Sequence, residues 1–380
     1  MGAGPAGLAA AGEAHRSGLT AQVLDAAEAV GASWRGHYDR LRLHTTRGLS
    51  ALPRVPIPER LGRWVARDDF IAYLEHYARK IGVPIRLGVR VERINRIDAA
   101  GGGWRLVTSA GELEAGQVVI ATGHNHTPRI PDWPGKAAFT GELIHSSAYR
   151  NPAPFRGRDV LVVGAGNSGA EIAADLVEGG PGKVWISIRT PPNIVKRDGP
   201  AGIAPQYLGI LMRPLPLKIV DPLSLLVQRL VVGDLSRYGI AAPATGVATR
   251  VLDGHIPLID VGFLAELKAR RIEVVPDITR FDGSEVVCGE RRLQADAVIA
   301  ATGYSPGLEP MVGHLGVLDA NGHPNYHAPQ SSHQASGLFF IGYSNPISGN
   351  LREIAHDARA LGPVLAMGAG VRSQLSRVEP

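Results

Sequence analysis

Two stretches of this chain, Gly2-Ala-Gly4-Pro5-Ala6-Gly7 and Gly164-Ala-Gly166-Asn167-Ser168-Gly169, place glycine at the first, third and sixth positions. The first glycine permits a tight bend after a strand, the second lets backbone approach a pyrophosphate, and the third lets helix and strand pack closely. The N-terminus of the helix that follows attracts negative charge. One such turn is a weak signal by itself, but the second has the right context. Asp159–Val163 is a short apolar run of strand character, and Ala170–Val177 continues at helical period. Two turns imply two bound dinucleotides, one passing electrons to the other.

Two residues bear on which dinucleotides. The strand-like Ala21–Leu24 ends in Asp25, at a distance from Gly7 that suits a carboxylate accepting hydrogen bonds from an adenosine ribose. The alternative is an ordinary cap beside Ala26. The run Val184–Ile188 ends in Arg189, where a domain built for a free 2′-hydroxyl would carry Asp or Glu. A carboxylate repels a 2′-phosphate, whereas a guanidinium binds it with two parallel hydrogen bonds, so the reading is NADPH over NADH. A solvated surface arginine is the competing reading.

These residues need elements to hold them. With 380 residues, 44% hydrophobic and 20% charged, the chain can form two packed domains. No run of 18 apolar residues and no leader pattern occur, which predicts a cytoplasmic protein without a membrane span. The net charge of +5 is dispersed and accompanies no nucleic-acid motif. Cys288 is the single cysteine, so disulfide reduction, which needs paired thiols, is not supported. No metal-ligand set is read. Leu208–Val232 is apolar but interrupted by Arg213, Lys218, Asp221 and Arg229 and by three prolines. Its charges do not gather on one basic face, so a substrate-covering insertion or plain core is expected ahead of a membrane-surface helix.

The plan of the chain repeats. Arg86–Ile97, Trp104–Ser109 and Glu112–Ala115 suggest a meander with Gly101–Gly103 as one turn, running into Val118–Ile120 and Ala121-Thr122-Gly123. Ile272–Pro276, Glu285–Cys288 and Arg292–Gln294 run likewise into Ala301-Thr302-Gly303. The expected fold class is α/β, with two Rossmann-like dinucleotide-binding domains, the second inserted in the first. The boundaries read as 1–153, 154–294 and a return segment 295–380, with the Pro-rich Asn151–Pro154 as linker. Only Met1 precedes Gly2, so the strand that should feed the first turn is expected to be missing from this sequence.

Phe139-Thr-Gly141-Glu-Leu-Ile-His145-Ser-Ser-Ala-Tyr149 lies between the two copies. It resembles the fingerprint of flavin-containing monooxygenases, in which Phe, Gly and His at this spacing are followed by Tyr or Phe; Baeyer–Villiger monooxygenases have Trp there. The resemblance covers nearly the whole chain. Trp34–His44, Leu52–Pro58, Asp69–Glu75, Gly233–Gly239, Pro257–Gly262 and Ala301–Tyr304 are similar to YUCCA-type members.

The resemblance implies FAD at Gly2, Gly4, Pro5, Ala6, Gly7, Asp25, Trp34, His44, Ala121, Thr122, Gly123, Asn350 and Leu351. It implies NADPH at Gly164, Gly166, Asn167, Ser168, Gly169, Arg189, Ala301, Thr302 and Gly303. Trp34 read alone is a packed core aromatic. His145 and Tyr149 are read as structural and cofactor-positioning rather than acid–base groups, and no catalytic side chain is assigned. Many family members hold the oxygen adduct with an Asn in the loop matching His44-Thr45-Thr46-Arg47, and none occurs here.

The activity implied is monooxygenation of a small organic substrate with O2 by way of a flavin C4a (hydro)peroxide. Either a 2-oxo acid such as indole-3-pyruvate is oxidatively decarboxylated, or nitrogen or sulfur is oxygenated. An NADPH oxidase or diaphorase, and a non-catalytic nucleotide-binding protein or fragment, are the rival classes.

Overall fold

The structure is a computed structural model that describes residues 1–97, 102–180, 182–199, 202–344 and 346–375. Gly101 of the expected turn lies outside them. The chain divides into two compact units: residues 1–36, 45–127 and 304–380 form the first, and 37–44 with 128–303 the second.

The second unit is built on five parallel strands in the spatial order Ile272–Val275, Val184–Ser187, Val160–Val163, Ala297–Ala300, Glu142–His145. Val160–Val163, Val184–Ser187 and Ala297–Ala300 are buried at every position, as a sheet covered on both faces requires. The helix Asn167–Gly179 follows the second glycine turn and buries Ile172, Ala173 and Leu176 against this sheet.

In the first unit, Val23–Leu24 pairs with Ile85–Arg86 and Val118–Ile120 with Leu338–Phe340, all parallel. Between these pairs run Met1 and Gly2. The Met1 amine donates to Val119 O at 2.7 Å, Ala121 N donates to Met1 O at 2.9 Å, and Gly2 N donates to Leu24 O at 2.7 Å. The helix Pro5–Arg16 follows the first turn. The last helix, Asn350–Leu375, packs on it so closely that a Cβ at Gly362 would lie 3.0 Å from Glu13 O.

The strands correct the expected boundaries. Glu142–His145 and Ala297–Ala300 pair within the second unit's sheet, so the fingerprint and the second Ala-Thr-Gly belong to that unit rather than to 1–153 or 295–380. Residues 37–44 join it as well. Both meanders are also shorter than expected. Ile85–Arg86 and Ile272–Val275 are parallel-sheet strands, and the antiparallel strands begin only after a break, at Val91 and Ile278. Gly88, at φ +70°, makes the first break and Pro276 stands at the second.

Leu208–Val232 is not core. It forms the helices Pro205–Met212 and Leu217–Val231, whose large apolar side chains are mostly exposed. Among the described residues no helix is long and apolar enough to cross a membrane.

Candidate functional site

The two glycine turns are near duplicates. Gly2 has φ +97° and Gly164 φ +104°, a region side chains avoid, and a Cβ at either would strike the carbonyl of Ala121 or Ala301. A Cβ on Gly7 or Gly169 would collide with the carbonyl of Gly2 or Gly164. Gly4 and Gly166 are different. Their backbone is ordinary extended N-cap geometry, φ −86° and −80°, and a Cβ there would meet nothing within 4 Å. The first and third glycines are thus demanded by the protein's own packing, while the second opens onto empty space. That is the shape a pyrophosphate needs, beside helix-start N–H groups that lack an intrahelical acceptor. The first helix offers one such donor fewer, because Pro5 has no N–H.

The same contacts explain the two Ala-Thr-Gly sequences. Ala121 and Ala301 end strands directly beneath the turns, where their carbonyls and methyl groups abut the first and third glycines. Thr122 Oγ1 lies 2.8 Å from the Tyr343 hydroxyl, and the Thr302 hydroxyl donates to Arg129 O. Gly123 and Gly303 turn the chain away at φ +88° and +83°.

Asp25 sits at the end of Val23–Leu24 and accepts from Ala3 N at 2.5 Å and from Ala27 N at 2.8 Å. It therefore braces the glycine turn and retains free lone pairs, since a carboxylate has about four acceptor sites. Asn167 Oδ1 accepts from Ile259 N at 2.6 Å, so its side chain anchors the strand Leu258–Asp260. Ser168 hydrogen-bonds Tyr38. Arg189 is exposed just past the strand Val184–Ser187 and makes no ion pair among the described residues. Trp34 packs edge-on against Phe70, ring centroids 4.5 Å apart.

His44, expected beside FAD, counts with the second unit, its Nε2 3.3 Å from Glu171 Oε2. Leu351 is buried. Asn350 begins the last helix with its Oδ1 buried and without a hydrogen-bond donor. Sequence reasoning passed over His124, whose only signal was its place directly after Gly123. Both its ring nitrogens are buried without a partner, and burial, then the charge of His323, lower its pKa.

The fingerprint residues make contacts within the second unit. Phe139 packs on Phe281 at 4.9 Å, and its ring lies over Gly141 so closely that a Cβ there would stand 2.5 Å from Phe139 Cζ. Ser147 N donates to His145 Nδ1 at 3.1 Å, so Nδ1 is an acceptor and the proton resides on Nε2, which donates to Gly303 O at 3.0 Å. With both nitrogens engaged and burial lowering its pKa, His145 is a neutral strut under the second Ala-Thr-Gly. Tyr149 is 1% exposed, stacks on Phe155, and donates to Asp175 Oδ2 at 2.8 Å. Asp175 also receives Arg40 at 3.1 Å, and Glu171 receives Tyr38 at 2.6 Å. Desolvation raises the pKa of Asp175, against the pull of Tyr149 and Arg40. One face of the helix Asn167–Gly179 thus grips both Tyr149 and residues 38–44.

The family model for Pyridine nucleotide-disulphide oxidoreductase matches residues 1–210. Indole-3-pyruvate monooxygenase YUCCA1 of Oryza sativa is 36% identical over 90% of this chain and 86% of its own length. The probable indole-3-pyruvate monooxygenase YUCCA9 of Arabidopsis thaliana is 33% identical over 90% and 83%. The chain belongs to the flavin-containing monooxygenase family. In fold it is similar to a double variant of a flavin monooxygenase from Stenotrophomonas maltophilia, with TM-score 0.72, 23% identity and 98% and 97% of the two chains covered. This flavin-containing monooxygenase is an NADPH-dependent enzyme that uses FAD and NADPH. Its buried Cys288, with the pKa pushed up to about 11 by burial, has no thiol partner for disulfide exchange.

Proposed function

We propose that this flavin monooxygenase oxidatively decarboxylates a 2-oxo acid of the indole-3-pyruvate type. The 2-oxo acid, O2, NADPH and a proton would yield the carboxylic acid one carbon shorter, CO2, NADP⁺ and water. The observation that carries the reading is the 36% identity to an indole-3-pyruvate monooxygenase extending over 90% of this chain.

Bound FAD and NADPH supply hydride transfer and oxygen activation; the chain's part is to bind, orient and exclude water. In this reading the turn Gly2–Gly7 and the helix start behind it hold the FAD pyrophosphate, and Asp25 receives the ribose hydroxyls. His124 and Asn350 bring buried polar atoms that have no protein partner, and such atoms find their hydrogen bonds in a ligand or water. The turn Gly164–Gly169 holds the NADPH pyrophosphate, and Arg189 meets the 2′-phosphate. His145 acts only through Gly303, by holding the loop beside the turn.

The test is to supply purified enzyme with NADPH, O2 and indole-3-pyruvate, and to measure indole-3-acetate, CO2 and hydrogen peroxide. One acetate per NADPH consumed is the expected result. Stoichiometric peroxide regardless of substrate would establish an NADPH oxidase instead, and turnover of amines or sulfides alone would move the substrate class.

A further inference from the structure

The segment 37–44, gripped by the helix Asn167–Gly179, ends in a histidine with one ring nitrogen engaged and one free. Glu171 Oε2 accepts from the Tyr38 hydroxyl at 2.6 Å and lies 3.3 Å from His44 Nε2. A carboxylate oxygen offers only lone pairs, so Nε2 carries the proton and donates, and Nδ1 of the neutral ring is left as an acceptor. Nδ1 has no hydrogen-bond partner among the described residues. The Glu171 side chain is 3% exposed and that of His44 17%, so the carboxylate is sealed behind a ring that can still be reached. A buried carboxylate in this place fixes the tautomer and orientation of an imidazole, which a ring that only fills space does not need.

The fold gives the location. Helical side chains lean toward the helix N-terminus, so Glu171 carries its carboxylate back toward the glycine turn Gly164–Gly169. Tyr38 fixes the level, because its hydroxyl bridges Glu171 and Ser168, the fifth residue of that turn. Val160–Val163 feeds the turn, with Val184–Ser187 on one side and Ala297–Ala300 and Glu142–His145 on the other. With the 2′-phosphate at Arg189, just past Val184–Ser187, the adenosine half lies on the first side and the nicotinamide half runs over the second. The segment 37–44 is on the second side as well. The Tyr38 ring meets that of Tyr149 at 6.4 Å, edge to face, and Tyr149 follows closely on Glu142–His145. His44 thus stands beside the turn, toward the nicotinamide, within one unit.

We propose that His44 belongs to the NADPH site, where its Nδ1 accepts a hydrogen bond from the carboxamide or ribose hydroxyl of the nicotinamide half while Glu171 holds the ring. The proposal rests on the NADPH placement given under the proposed function. The test is calorimetric titration of the FAD-loaded enzyme with NADP⁺ and with 2′,5′-ADP, which lacks the nicotinamide half. His44→Gln reaches Glu171 with its amide N–H but leaves nothing at the place of Nδ1, whereas His44→Asn puts a carbonyl oxygen there and gives up Glu171. His44→Gln should weaken NADP⁺ about fivefold to tenfold, the worth of one hydrogen bond, and leave 2′,5′-ADP unchanged. His44→Asn should bind NADP⁺ within about twofold of the parent. A merely structural histidine reverses that order, with asparagine the damaging change. A loss shared by 2′-phospho-ADP-ribose assigns the ribose hydroxyl, and a loss confined to NADP⁺ assigns the carboxamide. If His44→Gln does not fold, His44→Ala is read with the same ligands. Unchanged NADP⁺ affinity in His44→Gln, or an equal loss of NADP⁺ and 2′,5′-ADP, overturns the proposal. Gly166→Ala separates that failure from failure of the placement: if it too leaves NADP⁺ affinity unchanged, the pyrophosphate is not at this turn and the proposal falls with it.

Discussion

Gly166→Ala and Gly169→Ala add the same methyl three residues apart and should fail in opposite ways. At Gly166 the backbone is one that alanine adopts freely, and the new Cβ meets nothing within 4 Å. Folding stability is therefore unchanged or improved by about 0.4–1 kcal/mol, from the reduced freedom of the unfolded chain. The methyl occupies the space left for the pyrophosphate and holds it off the helix-start N–H groups. Charge-assisted hydrogen bonds are worth about 1.5–3 kcal/mol each, so a loss of about 2–3 kcal/mol is expected. That corresponds to a Kd for NADP⁺ raised roughly 30- to 150-fold. At Gly169 the methyl would overlap the backbone carbonyl of Gly164 and crowd the Ala301 methyl, neither of which can swing aside. The helix must shift away from the sheet, at a cost of about 3 kcal/mol or more. Calorimetric titration with NADP⁺ and thermal melts of both variants separate the two effects. A Gly166→Ala protein that melts early while keeping normal affinity, or a Gly169→Ala protein of unchanged stability, would refute the reasoning.

The remaining expectations concern single groups. Arg189→Glu should lower kcat/KM for NADPH on the order of a hundredfold and leave NADH turnover unchanged, since only the former carries a 2′-phosphate; equal losses with both cofactors would place Arg189 elsewhere. His145→Ala removes one of two donors to Gly303 O, with Arg129 N still donating at 3.0 Å, and should cost about 0.5–1.5 kcal/mol of stability. The pH profile of flavin reduction should not move, and a lost inflection would mean that His145 titrates in turnover. Burial, then Glu353, raises the Asp357 carboxyl from 3.8 to about 6. Such a group binds its proton more tightly when folded, so the stability it contributes is full below pH 4 and lost as pH rises through 6. Asp357→Asn should then stabilise by about 1 kcal/mol at pH 7.5, after discounting the shift for a half-exposed group, and have no effect at pH 4. Denaturant melts at the two pH values check this.

What could be read from sequence was what short-range chemistry decides. The second turn, its flanking strand and helix, Glu285–Cys288 and the Ala-Thr-Gly sequences are each specified by a few adjacent residues, and the structure has them where the pattern puts them. The family followed from the fingerprint spacing. Misread features depend on distant partners. Glu142–His145 belongs to the second unit because Ala297–Ala300 pairs with it, and no local signal at residue 142 records that. Residues 37–44 join the same unit because Glu171 and Asp175 hold Tyr38, Arg40 and His44. The apolar run after Leu208 reads equally as a substrate-covering insertion or as core, since hydropathy is blind to which face has polar work to do. Asp221, Ser224 and Gln228 settle that question through bonds to residues 194 and 247–249.

The closeness of the Gly164 carbonyl to the place a Cβ on Gly169 would take, 1.9 Å, also bears on how such a turn can change over time. A side chain at the third glycine forces the bend to open, and an opened bend moves the second glycine's approach surface away from its ligand. Of the three positions, only the second can take a side chain without the bend itself moving. Gly2 and Gly7 obey the same contacts as Gly164 and Gly169, while Gly4 and Gly166 both open onto free space, so the chain carries the same constraint twice, once in each unit.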